Sequence, residues 1–203
     1  MSGRRAAAVR RAEAAAGPRP RRGRPDETRR RLVMAAAREI EEHGYFATDS
    51  NRIARAAGYA PGTFYKHFAD KRAAFLAVYD DWVTAEWAQV AEIVARRQPR
   101  AETAAALADV VIAHHRSWPR FRASLRALVA LDDEVRRAQR AWRRRQLVLM
   151  RRLGASDRDG AALLLLIAER LGDAIADGEL AALGLREGTA RDELIARIAA
   201  QLA

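Results

Sequence analysis

The chain has 203 residues, half of them apolar, no cysteine and a formal net charge of +11. That length supports one large or two small domains with a buried core. The absence of cysteine excludes a disulfide framework and thiolate metal sites, and the longest strongly apolar run, Ala161 to Ala168, is too short to span a bilayer.

Alanine and leucine dominate the apolar fraction, and runs of alternating β-branched residues are absent, so the sequence predicts an all-α fold. The charge is uneven. Residues 1–31 hold eleven Arg against Glu13, Asp26 and Glu27, a net +8, whereas residues 32–83 hold six basic and seven acidic residues, a net −1. Attraction to a polyanion would therefore come mainly from the N-terminal arm. Residues 1–25 mix Arg, Ala, Gly and Pro without an apolar face, and Pro18, Pro20 and Pro25 interrupt any helix. They read as a basic, disordered arm. Within it Arg21-Arg22-Gly23-Arg24-Pro25 is similar to the core of an AT-hook, which makes Arg22 and Arg24 candidates for a narrow A·T-rich minor groove. The arm lacks the apolar core of a signal peptide, so a cytoplasmic location is expected.

A first helix is expected from Asp26 or Thr28 to Gly44, with Leu32, Val33, Ala36, Ala37 and Ile40 along one side. Thr48 is expected to cap a second helix, and Asp70 a fourth. Ile53, Ala54 and Ala57 form an apolar face at helical spacing. Gly58 then supplies the residue most tolerant of positive φ where a helix must stop, and Pro61 suits the first turn of the next. Only a tight turn fits between Ala57 and Pro61, so the two helices must cross steeply, as a helix-turn-helix. In the second of them, Pro61 to Phe68, the spacing turns Thr63, Tyr65, Lys66 and His67 outward and Phe64 and Phe68 inward. The core of this unit, residues 26–80, is expected to contain Val33, Ala36, Ile40, Phe46, Ile53, Ala57, Phe64, Phe68, Phe75, Leu76 and Tyr79.

Further helices are expected near 70–97, 102–116, 119–130, 133–153, 157–183 and 189–202, separated at Pro99, Pro119, Gly154, Gly184 and Gly188. Residues 81–203 carry the candidates for an effector pocket: Trp82, Trp87, Leu107, Val111, His114, His115, Trp118, Phe121, Leu125, Trp142, Leu147 and Met150. Their composition suggests an apolar or aromatic ligand. The run Arg136 to Arg145 reads as a solvated face, with one of its members, or Arg122 or Arg126, as the alternative partner of a ligand carboxylate. His114 and His115 diverge by about 100° around a helix and cannot converge on one metal ion without other ligands. No nucleophile–base pair, phosphate-binding loop or metal constellation stands at a recognisable spacing, so neither an enzyme nor a cofactor is expected.

Gly44-Tyr45, Ala47-Thr48, Ile53-Ala54, Ala57-Gly58, Gly62-Thr63-Phe64-Tyr65, His67-Phe68 and Lys71 together resemble the DNA-binding domain of the TetR family of bacterial transcriptional regulators. The resemblance covers about residues 26–80. It implies an N-terminal three-helix domain with a helix-turn-helix, followed by a larger helical domain for ligand binding and dimerisation. It also implies a ligand-responsive repressor that binds a palindromic operator in double-stranded DNA as a homodimer, away from any membrane. On this resemblance Thr63 would meet a base edge, and Pro61, Gly62 and Lys66 would belong to the contact surface, Gly62 being small enough for close approach. Tyr65, His67 and Lys71 would meet phosphates, although His67 could equally pack against the following helix. Thr48, Ser50 and Arg52 would hold the flanking backbone, Arg52 being long enough to reach a base. The last two long helices would form the dimer interface through Leu164, Ile167, Leu171, Ile175, Leu194 and Ile198. Ala60, where a Ser or Thr cap is common, and Ser50-Asn51, where an apolar and a basic residue are frequent, depart from the pattern. The rival reading is a constitutive DNA-organising protein driven by its basic arm.

Overall fold

The structure, a computed structural model, describes residues 25–202; the arm with Arg22 and Arg24 lies outside them. Ten helices and no strand occur among the described residues. Helix α1 (Pro25–His43) opens with Pro25 in its first turn, with Asp26 and Glu27 beside the positive end of its dipole. Its buried stripe of Leu32, Val33, Ala36, Ala37 and Ile40 is the one its periodicity predicts. Helix α2 (Ser50–Ala56) is capped by Asp49, whose carboxylate accepts from the Arg52 N–H at 2.8 Å. The expected cap, Thr48, is instead buried, and its hydroxyl donates back to the carbonyls of Gly44 and Glu39. Gly58 takes the positive φ, +80°, that the turn after α2 requires. Helix α3 (Pro61–Phe64) is shorter than the expected Pro61 to Phe68, because the chain leaves α-helical winding for a hydrogen-bonded turn through His67. Ala60 leaves α3 without a side-chain cap.

Helix α4 (Lys71–Ala95), capped by Asp70, runs for 25 residues and packs against α1 at one end and α5 (Arg100–Ser117) at the other. Helices α6 (Pro119–Leu131) and α7 (Asp133–Arg152) follow, α6 lying against α1. No residue of α6's own entry caps it; the Glu41 carboxylate of α1 accepts from the Phe121 N–H at 2.9 Å and so occupies that positive end. Helix α8 (Arg158–Ala176) ends before Gly178, whose φ of +72° breaks the single helix expected over 157–183, and leaves the short α9 (Glu179–Ala182). Helix α10 (Glu187–Gln201) closes the fold against α5 and α8.

Two apolar clusters form. One joins α1 to α4 with α6 and α7 through the stacked rings of Phe75 and Phe121, 4.8 Å apart. The other gathers α5, α8 and α10 with the far end of α4. Phe46, an expected core residue, is 65% exposed. Tyr45 takes the inward place instead, edge-on to Phe75 at 5.3 Å, and its N–H donates to Ser124 Oγ of α6. Ala57 and Leu76 are only half-buried. No helix among the described residues is long and apolar enough to cross a membrane.

Candidate nucleic-acid interface and ligand cavity

The outward side of the α2–α3 unit is built by its inward side. Phe64 and Phe68 are buried, with ring centroids 5.5 Å apart, and anchor the turn against α1 and α4. That anchoring leaves Pro61, Gly62, Tyr65 and Lys66 exposed, with Thr63 and His67 partly so. Tyr65 is 57% exposed although its ring meets the edge of Phe64, so most of it faces solvent. Gly62 has a common backbone conformation, and a Cβ there would meet nothing within 4 Å. Its smallness is thus not demanded by the fold. It provides clearance at the surface.

Three expected contacts are placed differently. Thr48 is 3% exposed with its hydroxyl engaged as described, so its side chain has no surface to offer. Arg52 pairs with Glu39 of α1, and its guanidinium also approaches His43, which holds it along the domain instead of leaving it free. Lys71 does not point to solvent as an unengaged ammonium. Its Nζ donates to the carbonyls of Tyr45 at 2.7 Å and Thr48 at 2.6 Å, and sits 4.0 Å from the Tyr45 ring centroid. Burial lowers its pKa. Lys71 is thus a clasp between α4 and the loop that enters α2. Lys71→Met should cost about 2 kcal/mol, read by thermal unfolding, because both carbonyls lose a charged donor; an unchanged melting temperature would show that water replaces it freely. Ser50 stands in the first turn of α2, partly exposed.

The second site is a cavity of about 150 Å³ between α4, α5, α6, α7, α8 and α10. Seven of the expected residues line it: Trp82 and Trp87 from α4, Leu107, Val111 and His115 from α5, Leu125 from α6 and Met150 from α7. The other five lie elsewhere. His114 is turned away from the cavity, stacked 3.8 Å from the Trp82 ring, and its neighbour His115 is the one that reaches the wall. Phe121 and Trp118 are used at the joint with the N-terminal cluster, where they meet edge to face at 5.8 Å. Trp142 packs edge-on to Tyr79, and Leu147 does not reach the cavity.

The cavity also has polar walls: Arg122 and Arg143, both among the arginines named above as alternative ligand partners, with Glu86, Gln146 and Glu169, which the sequence pattern did not indicate. Arg122 is buried and bonds Asp173 of α8, with its guanidinium over the Trp82 ring at 5.3 Å; burial holds its pKa down at about 10. Arg143 pairs with Glu169. Both histidines are held neutral, at about 3, chiefly by burial and then by His115 and Arg122 for His114, and by Arg122 for His115. The Glu86 carboxyl is pushed up to about 7, chiefly by burial, against the lowering field of Arg122. The N–H groups of Trp82 and Trp87 have no acceptor.

The expected dimer face needs correction. Leu164, Ile175, Leu194 and Ile198 are buried within the chain itself, Leu194 completely, because α5 occupies the inner side of α8 and α10. Ile167 and Leu171 are half-buried. The side chains left outside are Leu163 and Leu166 of α8, with Leu183 and Leu185 in the connection to α10.

A short-helix unit with an exposed, glycine-bearing segment is thus mounted on a helical body with an internal cavity, the arrangement of a helix-turn-helix on a larger helical domain. Residues 32–78 match the family described as bacterial regulatory proteins, tetR family. Among solved structures, SCO7518 from Streptomyces coelicolor A3(2), described as a transcriptional regulator, is 24% identical. It superposes with a TM-score of 0.69 over 85% of this chain and 98% of its own. The fatty acid degradation regulator FadR from Bacillus halodurans is 13% identical, with a TM-score of 0.62 over 88% and 96%. SmeT, in complex with triclosan, is 22% identical, with a TM-score of 0.58 over 84% and 90%. These likenesses show a shared fold. No curated protein matches the sequence.

Proposed function

We propose that this protein is a homodimeric, ligand-responsive transcriptional repressor, cytoplasmic, that binds a palindromic operator and is not an enzyme. The observation that carries the reading is the exposed segment Pro61 to His67, from which Phe64 is withdrawn into the core while Tyr65 and Lys66 face outward, and in which Gly62 gives clearance that the fold itself does not need. A segment so arranged suits the major groove, with Thr63 at a base edge and Tyr65, Lys66 and His67 toward the backbone. Ser50 lies near enough in sequence to flank it, while Arg52 and Lys71 act by holding the unit's shape.

The cavity supports ligand response, because α4 both lines it and carries Lys71, and SmeT is a protein of this fold that binds a small molecule, triclosan. An effector can shift the DNA-binding equilibrium only by its differential affinity for the two states. Leu163 and Leu166 on the outer side of α8, with half-buried Ile167 beside them, support self-association by the last two long helices. The test is selection of sites from random duplex DNA by the full-length protein at near-physiological salt, where non-specific attraction is weak. An inverted repeat with half-sites roughly 34–36 Å apart, or a multiple of that, is the expected result. Enrichment of A·T-rich DNA without a palindrome would overturn it in favour of a DNA-organising protein that works through Arg22, Arg24 and the rest of the arm.

A further inference from the structure

The polar groups around the cavity form pairs with one member left over. Arg143 is matched by Glu169, and Arg122 by Asp173, which Arg126 also approaches at 3.2 Å. Glu86 has no such partner. It projects from α4, its side chain is only 12% exposed, and no hydrogen-bond donor within the described residues reaches its carboxyl. The nearest basic nitrogen, His114 Nε2, is 3.8 Å away, beyond hydrogen-bond reach, and belongs to a ring that burial keeps neutral. A carboxylate withdrawn from water without a cation is costly, and proteins normally pair it.

Its surroundings suit a cation better than the other occupants. Trp87, one residue after Glu86 on the same helix, lines the same cavity; Trp82, one turn before it, lines it too, with its ring already stacked on His114 at 3.8 Å and approached by Arg122 at 5.3 Å. Aromatic faces attract organic cations, most strongly when water is excluded. The rest of the wall, with Val90, Val111 and Met150, offers apolar surface to the remainder of such a molecule. A carboxylate ligand would have to displace Asp173 or Glu169 from an arginine already engaged, and would leave Glu86 facing a second negative charge. The Nε hydrogens of Arg122 and Arg143 lack acceptors, but both guanidinium charges are already offset.

We propose that the effector is a small organic cation, an amine or quaternary ammonium on an apolar or aromatic body, whose charge is neutralised by Glu86 beside Trp87. The inference rests on the cavity being the effector site. A bound cation would hold Glu86 in its ionised form and complete the charge balance of the cavity. A body of about benzene's size fits the volume.

Three soluble probes of nearly equal shape separate the possibilities: 2-phenylethylammonium, 2-phenylethanol and phenylacetate. Each is titrated into the full-length protein at about pH 8, above the Glu86 pKa, and followed by tryptophan fluorescence. The ammonium should bind at least about tenfold more tightly than the alcohol, and phenylacetate more weakly than either. In Glu86→Gln the ammonium should lose about tenfold while 2-phenylethanol stays within about threefold, which also shows that the variant is folded. Tighter binding of the alcohol or of phenylacetate to the unaltered protein overturns the cation assignment and leaves the cavity a ligand site. A preference for the ammonium that survives in Glu86→Gln removes Glu86 as its counter-ion. If none of the three binds, the reading of the cavity as an effector site fails with it.

Discussion

Asp173→Asn should lower the stability of this protein by about 3–5 kcal/mol, on the order of 10 °C in melting temperature. The size of the effect comes from what remains. Arg122 is buried, its guanidinium bonds the Asp173 carboxylate, and Arg126 and His115 approach the same oxygen at 3.2 and 3.5 Å. Asparagine keeps the shape but removes the charge, so Arg122 loses the carboxylate its guanidinium bonds and keeps only the fields of Glu169, Glu86 and Asp177. Burial already holds the Arg122 pKa down at about 10 with its partner present. Arg122→Met combined with Asp173→Leu removes both charges and should recover most of the loss, since apolar replacements of buried pairs are often neutral. Thermal or denaturant unfolding of the two variants decides the matter. If Asp173→Asn is within about 1 kcal/mol of the parent, water or a neighbouring acid must already serve Arg122.

Phe64→Ala should cost a similar amount, about 3–5 kcal/mol, and abolish operator binding with it. Phe64 has no exposed surface, packs on Phe68, and is the residue from which the turn after α3 is hung. Its removal leaves a cavity under the very segment proposed to read DNA. The contrasting substitution is one residue away. Tyr65→Ala deletes an exposed ring and should change stability by no more than about 0.5 kcal/mol while weakening DNA binding at least about tenfold. Melting temperature and operator affinity measured on both variants separate a folding role from a contact role. A stable Phe64→Ala would contradict the packing, and an unchanged operator affinity in Tyr65→Ala would take Tyr65 out of the interface.

The helix-turn-helix was legible in the sequence because its signals are local. The spacing of Ile53 and Ala54, the positive φ at Gly58 and the entry at Pro61 each act within a few residues, and each is realised. Other choices are made across the molecule, where a single helical period carries no address. Tyr45 and Phe46 are equally apolar neighbours; Phe75 and Ser124 select Tyr45. The apolar stripe of α8 and α10 was visible, but whether α5 or a second copy covers it is a tertiary fact, and α5 covers it. Less than half of the cavity wall was found, mostly as aromatic and branched residues such as Trp82, Trp87 and Val111. Glu86 was not, because one acid in mid-helix looks like a solvated residue until α5, α7 and α8 close around it.

Helix α4 also sets a mechanical ratio. Glu86 at the cavity and Lys71 at the clasp are fifteen residues apart on one uninterrupted rod, about 22 Å at 1.5 Å per residue. A tilt of α4 about the cavity therefore displaces the Tyr45–Thr48 loop by about 0.4 Å per degree. A rearrangement of about 5° becomes a shift of about 2 Å at the Lys71 end. That is several times the range of about 0.5 Å over which a hydrogen-bonded contact survives. Because the rod is tied to the loop by two short hydrogen bonds from Lys71, little of that travel is lost on the way.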